Sequence, residues 1–379
     1  MKKCIVLLLG VLLFAPVCVR AQGALFKKAF DGAVKNYEKK VVFSAPAQVV
    51  RVAALHNLME EKLLEAMSTD YFTTTPQAAS PLVAERNQAL REELLKNWME
   101  RNAYLSAQKS NIAARVKLTR HTGVIDYVSI IPSSVRVILL GEMHEKDFIV
   151  SEVETLIKQY QKAYPGRTIY YASEFVDDLN PLLLAGSDVM KSERQIAASV
   201  RKRPYYADIT RRLFRAGVNV VGLEDPSVSE RLLAENYRYA YENAPSVWRY
   251  ASPAGIEERN IYWARIIERI YREDPKAVVF VHAGMAHTNY NGVKSLPFLL
   301  KKHRPFVLEY NFPPGRATNM LLEKYAPFPD NFPAYLHTVQ RNAPAMYPKI
   351  RIMRRMTDKR LAVSMGCDIS IVFPTRFSK

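Results

Sequence analysis

The sequence predicts an α/β protein: a mostly parallel sheet covered by helices on both faces, with an additional helical region at the N-terminus. Two observations carry that expectation. From residue 135 onward, short apolar runs alternate with stretches of helical period, which is the pattern of βα units. Two of the runs, Val135-Arg136-Val137-Ile138-Leu139-Leu140 and Val278-Val279-Phe280-Val281-His282-Ala283, read as buried strands. Both break at Gly-x-x-His: Gly141-Glu142-Met143-His144 and Gly284-Met285-Ala286-His287. A glycine just past a strand lets the chain turn sharply. The histidine that follows then sits at the carboxyl edge, where open parallel sheets bind ligands. Two such edges, far apart in sequence, suggest one site assembled from both.

In order along the chain, residues 1–21 read as a signal peptide. Lys2 and Lys3 precede an apolar run from Ile5 to Phe14 that is short for a bilayer span, and Val19-Arg20-Ala21 offers a cleavage site. Lipidation at Cys18 is the weaker alternative, because Ala15-Pro16-Val17 makes a poor lipobox. The mature chain is expected to be exported, periplasmic and without a transmembrane segment. Residues 22–130 are expected to form an N-terminal helical region. Val49, Val52, Leu55, Leu58, Met59 and Leu63 fall at helical spacing, Thr73-Thr74-Thr75-Pro76 interrupts, and a long charged helix is expected from Leu82 to about His121. Residues 131–379 are expected to form the α/β domain. Strands are expected at 135–140, 168–175, 218–223, 277–283, 305–310 and 368–373. Helices are expected at 146–164, 188–216 with a break near Pro204, 229–243, 256–272 and 293–302.

Composition narrows the function classes. The 379-residue chain carries a net charge of +17. The first 21 residues hold three basic groups and no acid, so a processed chain keeps +14. That balance favours anionic envelope surfaces or acidic ligands, or simply a solvated surface. Export and the absence of a recognition motif argue against nucleic acid. Cys4 and Cys18 leave with the signal, so Cys367 stands alone; an intramolecular disulfide and a Cys-ligated zinc are excluded. No Gly-x-Ser-x-Gly elbow, phosphate-binding loop or Gly-x-Gly-x-x-Gly turn is present, so serine-nucleophile and nucleotide-dependent chemistry lose support.

The strand ends carry the candidate chemistry. Glu142 and His144 close the first strand, Glu174 the second, Glu224 and Asp225 the third, and His287 follows the fourth. An acid ending an apolar strand costs free energy unless the site uses or pairs it. Together these residues supply acid–base groups and oxygen and nitrogen ligands for Zn, Mn, Co or Fe. Each also has a structural reading: helix capping for His144 and Asp225, pairing with an arginine for Glu142 and Glu174. His282 lies within its strand and is either a site residue or a satisfied core histidine. Arg259 is placed to stabilise an oxyanion or to sit on a helix surface. His56, His121, His303 and His337 read as packing or surface residues.

In order, Gly141-Glu142-Met143-His144, Ser173-Glu174, Glu258-Arg259-Asn260 and Gly284-Met285-Ala286-His287 resemble the superfamily of erythromycin esterases, ChaN, TraB/GumN and TIKI proteins. The two Gly-x-x-His turns look most like the haem-binding ChaN branch. The Arg259-Asn260 helix looks more like TraB/TIKI, and Asp368-Ile369-Ser370-Ile371-Val372-Phe373 resembles the closing strand of the esterases. His282 and the missing lipobox depart from a ChaN-type lipoprotein. The resemblance covers residues 135 to 310 plus the last strand. It implies a shared site at Glu142, His144, Glu174 and His287. The expected function is water-mediated hydrolysis of an ester or amide in a small-molecule or peptide substrate. His144 would be general base or metal ligand, and His287 the leaving-group acid or a ligand. Glu142 and Glu174 would orient His144 or share the metal, and Arg259 would stabilise the oxyanion. The expected metal set is His144, Glu174, His287 and Glu224, holding Mn, Co or Zn. The alternative is a haem- or iron-binding protein without turnover, with His144 and His287 as ligands.

Overall fold

Nearly every position of the central strands is buried, and this decides the architecture. A computed structural model of the chain describes residues 81–142, 147–178, 188–199, 204–225, 253–292, 294–311, 320–327 and 332–373. The elements are α1 (Pro81–Ala107), α2 (Lys109–Arg115), β1 (Val116–His121), α3 (Tyr127–Ile130), β2 (Val137–Glu142), α4 (Asp147–Ala163) and β3 (Ile169–Asp177). Next come α5 (Val189–Ser199), α6 (Pro204–Arg215), β4 (Asn219–Glu224), α7 (Pro253–Glu273), β5 (Val278–Gly284) and α8 (Met285–Thr288). The last are α9 (Leu296–Leu299), β6 (Phe306–Asn311), α10 (Met320–Tyr325), α11 (Phe332–Asn342), β7 (Arg351–Met356), α12 (Lys359–Met365) and β8 (Ile369–Val372). The signal peptide, the helix expected over 49–67, the helix over 229–243 and His144 lie outside the described residues.

Among the described residues the strands form one eight-stranded sheet in the order β1-β7-β8-β6-β2-β5-β3-β4. The core of it is parallel: β2 pairs with β5 and β6, β3 with β4 and β5, and β6 with β8. Only β7 runs against its neighbours, β1 and β8. This is the α/β class that the sequence predicts.

Strand side chains alternate between two cores. Val137, Leu139, Ala172, Val279 and Val281 pack under α7, whose Trp263, Ile266, Ile267 and Ile270 share one helical stripe. Ile138, Leu140, Tyr171 and Phe280 pack on the opposite face, against Ile149, Val153, Leu156 and Ile157 of α4 and Tyr206, Ile209 and Leu213 of α6. Glu142 keeps the parity of Ile138 and Leu140 and Glu174 that of Ala172, whereas Glu224, with the parity of Val218, reaches Arg259 from the end of the edge strand β4.

Four expectations need correction. The helix expected up to His121 ends at Arg115, and Val116–His121 is a strand instead. Its backbone is satisfied by β7, from Val116 opposite Met356 to His121 opposite Arg351, and this pairing overrides a charged sequence that reads as helix. Strand β7 itself was not expected. The helix expected over 293–302 is reduced to α9 and a 3-10 turn at Lys301–His303, which ends at Arg304 in the left-handed region. Finally, Gly141 is not needed for its backbone angles. A Cβ there would overlap the Thr288 hydroxyl of α8, so the glycine lets α8 lie against β2.

Candidate active site

The carboxyl ends of β2, β3, β4 and β5 lie side by side. Glu142 is opposite Gly284, Ser173 opposite His282, and Asp177 opposite Glu224. Of the expected site residues, Glu142, Glu174, Glu224, Arg259 and His287 are all buried at this edge. They form two hydrogen-bonded groups, one on each face of the sheet.

The first group lies under α7. Glu174 shares the face of Ala172, and Arg259 enters from α7, one turn before Trp263. The guanidinium Nη2 donates to Glu174 Oε1 at 2.8 Å and also to Glu224 Oε1. Its Nη1 lies 3.1 Å from His287 Nε2. The other Glu174 oxygen accepts the Gly284 N–H at 2.7 Å, which ties the end of β3 to the start of α8. Trp263 backs the pair: its ring centroid is 4.8 Å from the Arg259 guanidinium and 4.4 Å from the His287 ring.

Hydrogen-bond logic fixes the protonation of His287. Asn260 donates its amide to the Lys294 carbonyl at 3.2 Å, so its oxygen is an acceptor. That oxygen lies 2.7 Å from His287 Nδ1, which must therefore carry a proton. Arg259 is only a donor, so His287 Nε2 must present its lone pair. His287 is thus a neutral imidazole with its accepting nitrogen turned into the cluster.

The second group lies on the α4 and α6 face. Glu142 accepts from the Tyr206 hydroxyl and from His282 Nε2, the latter at 2.8 Å. His282 Nδ1 lies 2.8 Å from the Tyr171 hydroxyl. Burial pushes the Tyr171 phenol up from its ordinary value, so it stays protonated and donates.

The metal expectation meets a difficulty here. The described members of the expected set, Glu174, Glu224 and His287, do converge. The cation they surround is the Arg259 guanidinium, which takes an oxygen of each carboxylate and the accepting nitrogen of the histidine. Among the described residues no group of three or more His, Cys, Asp or Glu side chains is placed to hold a metal ion. These residues do not fit a divalent metal. Haem ligation through His287 Nε2 would likewise have to displace Arg259.

Tyr206, Tyr171 and Asn260 were not singled out by the sequence. Asn260 follows Arg259 within the same motif, and the 27-residue span between it and His287 hides their contact. His303 pairs with Glu268 at 3.0 Å on α7 and stacks on Tyr271, as a structural residue would.

No family model and no curated protein matches this sequence. Solved structures similar to the chain share little sequence with it. One shows cofacial haem binding to ChaN of Campylobacter jejuni, with 11% identity over 51% of this chain and 86% of that one, at a TM-score of 0.35. Another is a mutant of the erythromycin esterase EreC in its open conformation, with 8% identity over 68% and 98% of the two chains and a TM-score of 0.40. A third is a protein from Bacillus cereus, with 10% identity over 72% and 97% and a TM-score of 0.36.

Proposed function

We propose that this protein is an exported, periplasmic hydrolase that directs water at an ester or amide without a metal. The observation that carries the reading is the Glu174–Arg259–Glu224 cluster facing the accepting nitrogen of His287. Arg259 is a buried cation positioned by two carboxylates through Nη2, and its Nη1 arm, beside His287, is the donor that would meet negative charge developing on a carbonyl oxygen. For His287 Nε2 to take a proton from the attacking water, the Arg259 Nη1–H must first yield that lone pair, and the proton gained is then returned to the leaving oxygen or nitrogen. Of the two roles expected for His287, leaving-group acid or metal ligand, this reading keeps the acid: its Nδ1 proton is committed to Asn260, so only a proton gained at Nε2 can be delivered. His144, two residues after Glu142, is the second imidazole for this transfer and the general base that the sequence motif suggests. The mature chain begins near Gln22, and its positive surplus favours anionic surfaces. Among the described residues no helix is long and apolar enough to cross a membrane.

The test is a screen of the processed protein against aryl esters, followed by His144→Ala and His287→Ala. Loss of about two to four orders of magnitude in kcat is expected for an acid–base residue. Full activity in both variants would end this reading.

A further inference from the structure

His282 belongs to neither Gly-x-x-His turn, yet it is fully buried at the sheet edge. Its side chain and that of Glu142 are both fully buried. Glu142 accepts only, so His282 Nε2 carries the proton of their 2.8 Å contact, and Nδ1 is left to accept from the Tyr171 hydroxyl. A one-way chain results: Tyr171 donates to His282, His282 donates to Glu142, and Tyr206 donates to the other Glu142 oxygen.

The surroundings hold the ring in that orientation. Phe175 meets it edge-on at 5.1 Å, Tyr171 lies at 5.9 Å and Tyr206 at 6.0 Å. Phe175 also stacks on Tyr206 at 3.6 Å, so the two donors to Glu142 share one aromatic wall. A carboxylate this deeply buried is retained only when hydrogen-bonded. An ordinary core histidine needs no more than a backbone carbonyl. This one is spent on the single acid of the Gly-Glu-x-His motif, 140 residues away in sequence.

We propose that His282 is a positioning residue: from inside β5 it fixes the Glu142 carboxylate at the end of β2, two residues before His144. The effect on turnover rests on the hydrolase reading above; the His282–Glu142 link does not.

Side-chain geometry provides the test. Glutamine can place its amide nitrogen where His282 Nε2 lies, asparagine reaches only the Nδ1 position, and leucine fills the space with no donor. Kinetics of p-nitrophenyl acetate hydrolysis would be compared for the wild type and His282→Gln, His282→Asn and His282→Leu, each checked for folding by circular dichroism and thermal melting. For folded variants, His282→Gln should keep kcat within about threefold, while the other two lose about a hundredfold with KM within about twofold. A His282→Leu variant as active as His282→Gln would overturn the proposal and make His282 a packing residue. In parallel, long-range proton–nitrogen spectra of protein labelled with 15N-histidine report the tautomer. His282 should carry its proton on Nε2, and Glu142→Gln should shift that resonance. A proton on Nδ1 alone, or no response to Glu142→Gln, would refute the link. A wild type inactive on every ester would sink the hydrolase reading, and the spectra would still decide the His282–Glu142 contact.

Discussion

Replacing Arg259 by methionine removes the cation from two buried carboxylates while nearly preserving side-chain volume. The side chains of Arg259, Glu174 and Glu224 are 3%, 2% and 6% exposed, so solvent screens little of their interaction. At an effective dielectric of about 20 and a charge separation of about 4 Å, each pair is worth roughly 4 kcal/mol of Coulomb energy before desolvation. Desolvation already offsets much of that in the wild type. In the variant the desolvation stays and the attraction goes, which costs about 3–5 kcal/mol for a broken buried pair. Glu174 keeps the Gly284 N–H. The figure is a large part of the roughly 5–15 kcal/mol that holds a typical domain together. Urea unfolding at neutral pH, followed by circular dichroism and by tryptophan fluorescence, measures it, with Trp263 under the guanidinium as a local reporter. Adding Glu174→Gln and Glu224→Gln to Arg259→Met should recover most of the loss, because an uncharged cluster needs no cation. An Arg259→Met variant within about 1 kcal/mol of wild type would refute this reasoning, since it would place both carboxylates in contact with water.

Gly222→Ala is expected to be more damaging than any ordinary small-to-large change, which costs about 1–3 kcal/mol. Its Cβ would overlap the Asp177 carbonyl, a backbone atom of β3 that cannot turn aside, and thermal melting of the purified variant checks this. Asp358→Ala should lose about 1 kcal/mol at pH 7, because Asp358 caps α12 by accepting the Leu361 N–H at 2.9 Å. Burial pushes the Asp358 carboxyl up, but the Leu361 N–H and the Arg115 guanidinium outweigh it and hold it below its ordinary value. Its contribution is therefore complete above the unfolded value of about 3.9 and lost as the pH falls through the lower folded value. Wild type and variant should converge in urea titrations below that pH; a constant gap would show that the carboxylate does not act as the cap. Elemental analysis of the mature protein, wild type beside His144→Ala, should find no stoichiometric Mn, Co or Zn in either, and a chelator should leave hydrolysis unchanged. A metal bound one to one and lost in the variant would restore the metal-activated alternative.

The strands that build the site were legible because burial on both faces leaves them almost wholly apolar: Val137–Leu140, Val220–Val221 and Val278–Val281 have no other reading. Strands β1 and β7 were not. Arg351-Ile352-Met353-Arg354-Arg355-Met356 holds three arginines, and Arg354 is nonetheless 1% exposed, donating to the Ala326 carbonyl. Nothing local signals that acceptor, and the strand exists because β1 and β8 pair with it. The same limit explains His282. Its burial follows from its place in an apolar run, but its role depends on Tyr171 one strand away and Glu142 on the other side. Tyr206 carried no signal at all, being one of 21 tyrosines in the chain.

Among the described residues, the helix face of α7 sets an arginine among the carboxylates that the sequence offered to a metal. Asn260 and Arg259 are adjacent, so one segment delivers both the acceptor that sets the His287 proton and the donor that meets its lone pair. Trp263, one turn on, supports both partners in that contact. Two carboxylates with a single guanidinium between them leave its second arm aimed at the histidine rather than swinging in solvent. In the hydrolase proposed above, a cation fixed before substrate arrives would need no reorganisation when charge develops on a carbonyl oxygen. A metal placed among the same carboxylates would have to expel the arginine, breaking the contact that also orients His287. Among the described residues, the cation that meets both carboxylates is Arg259.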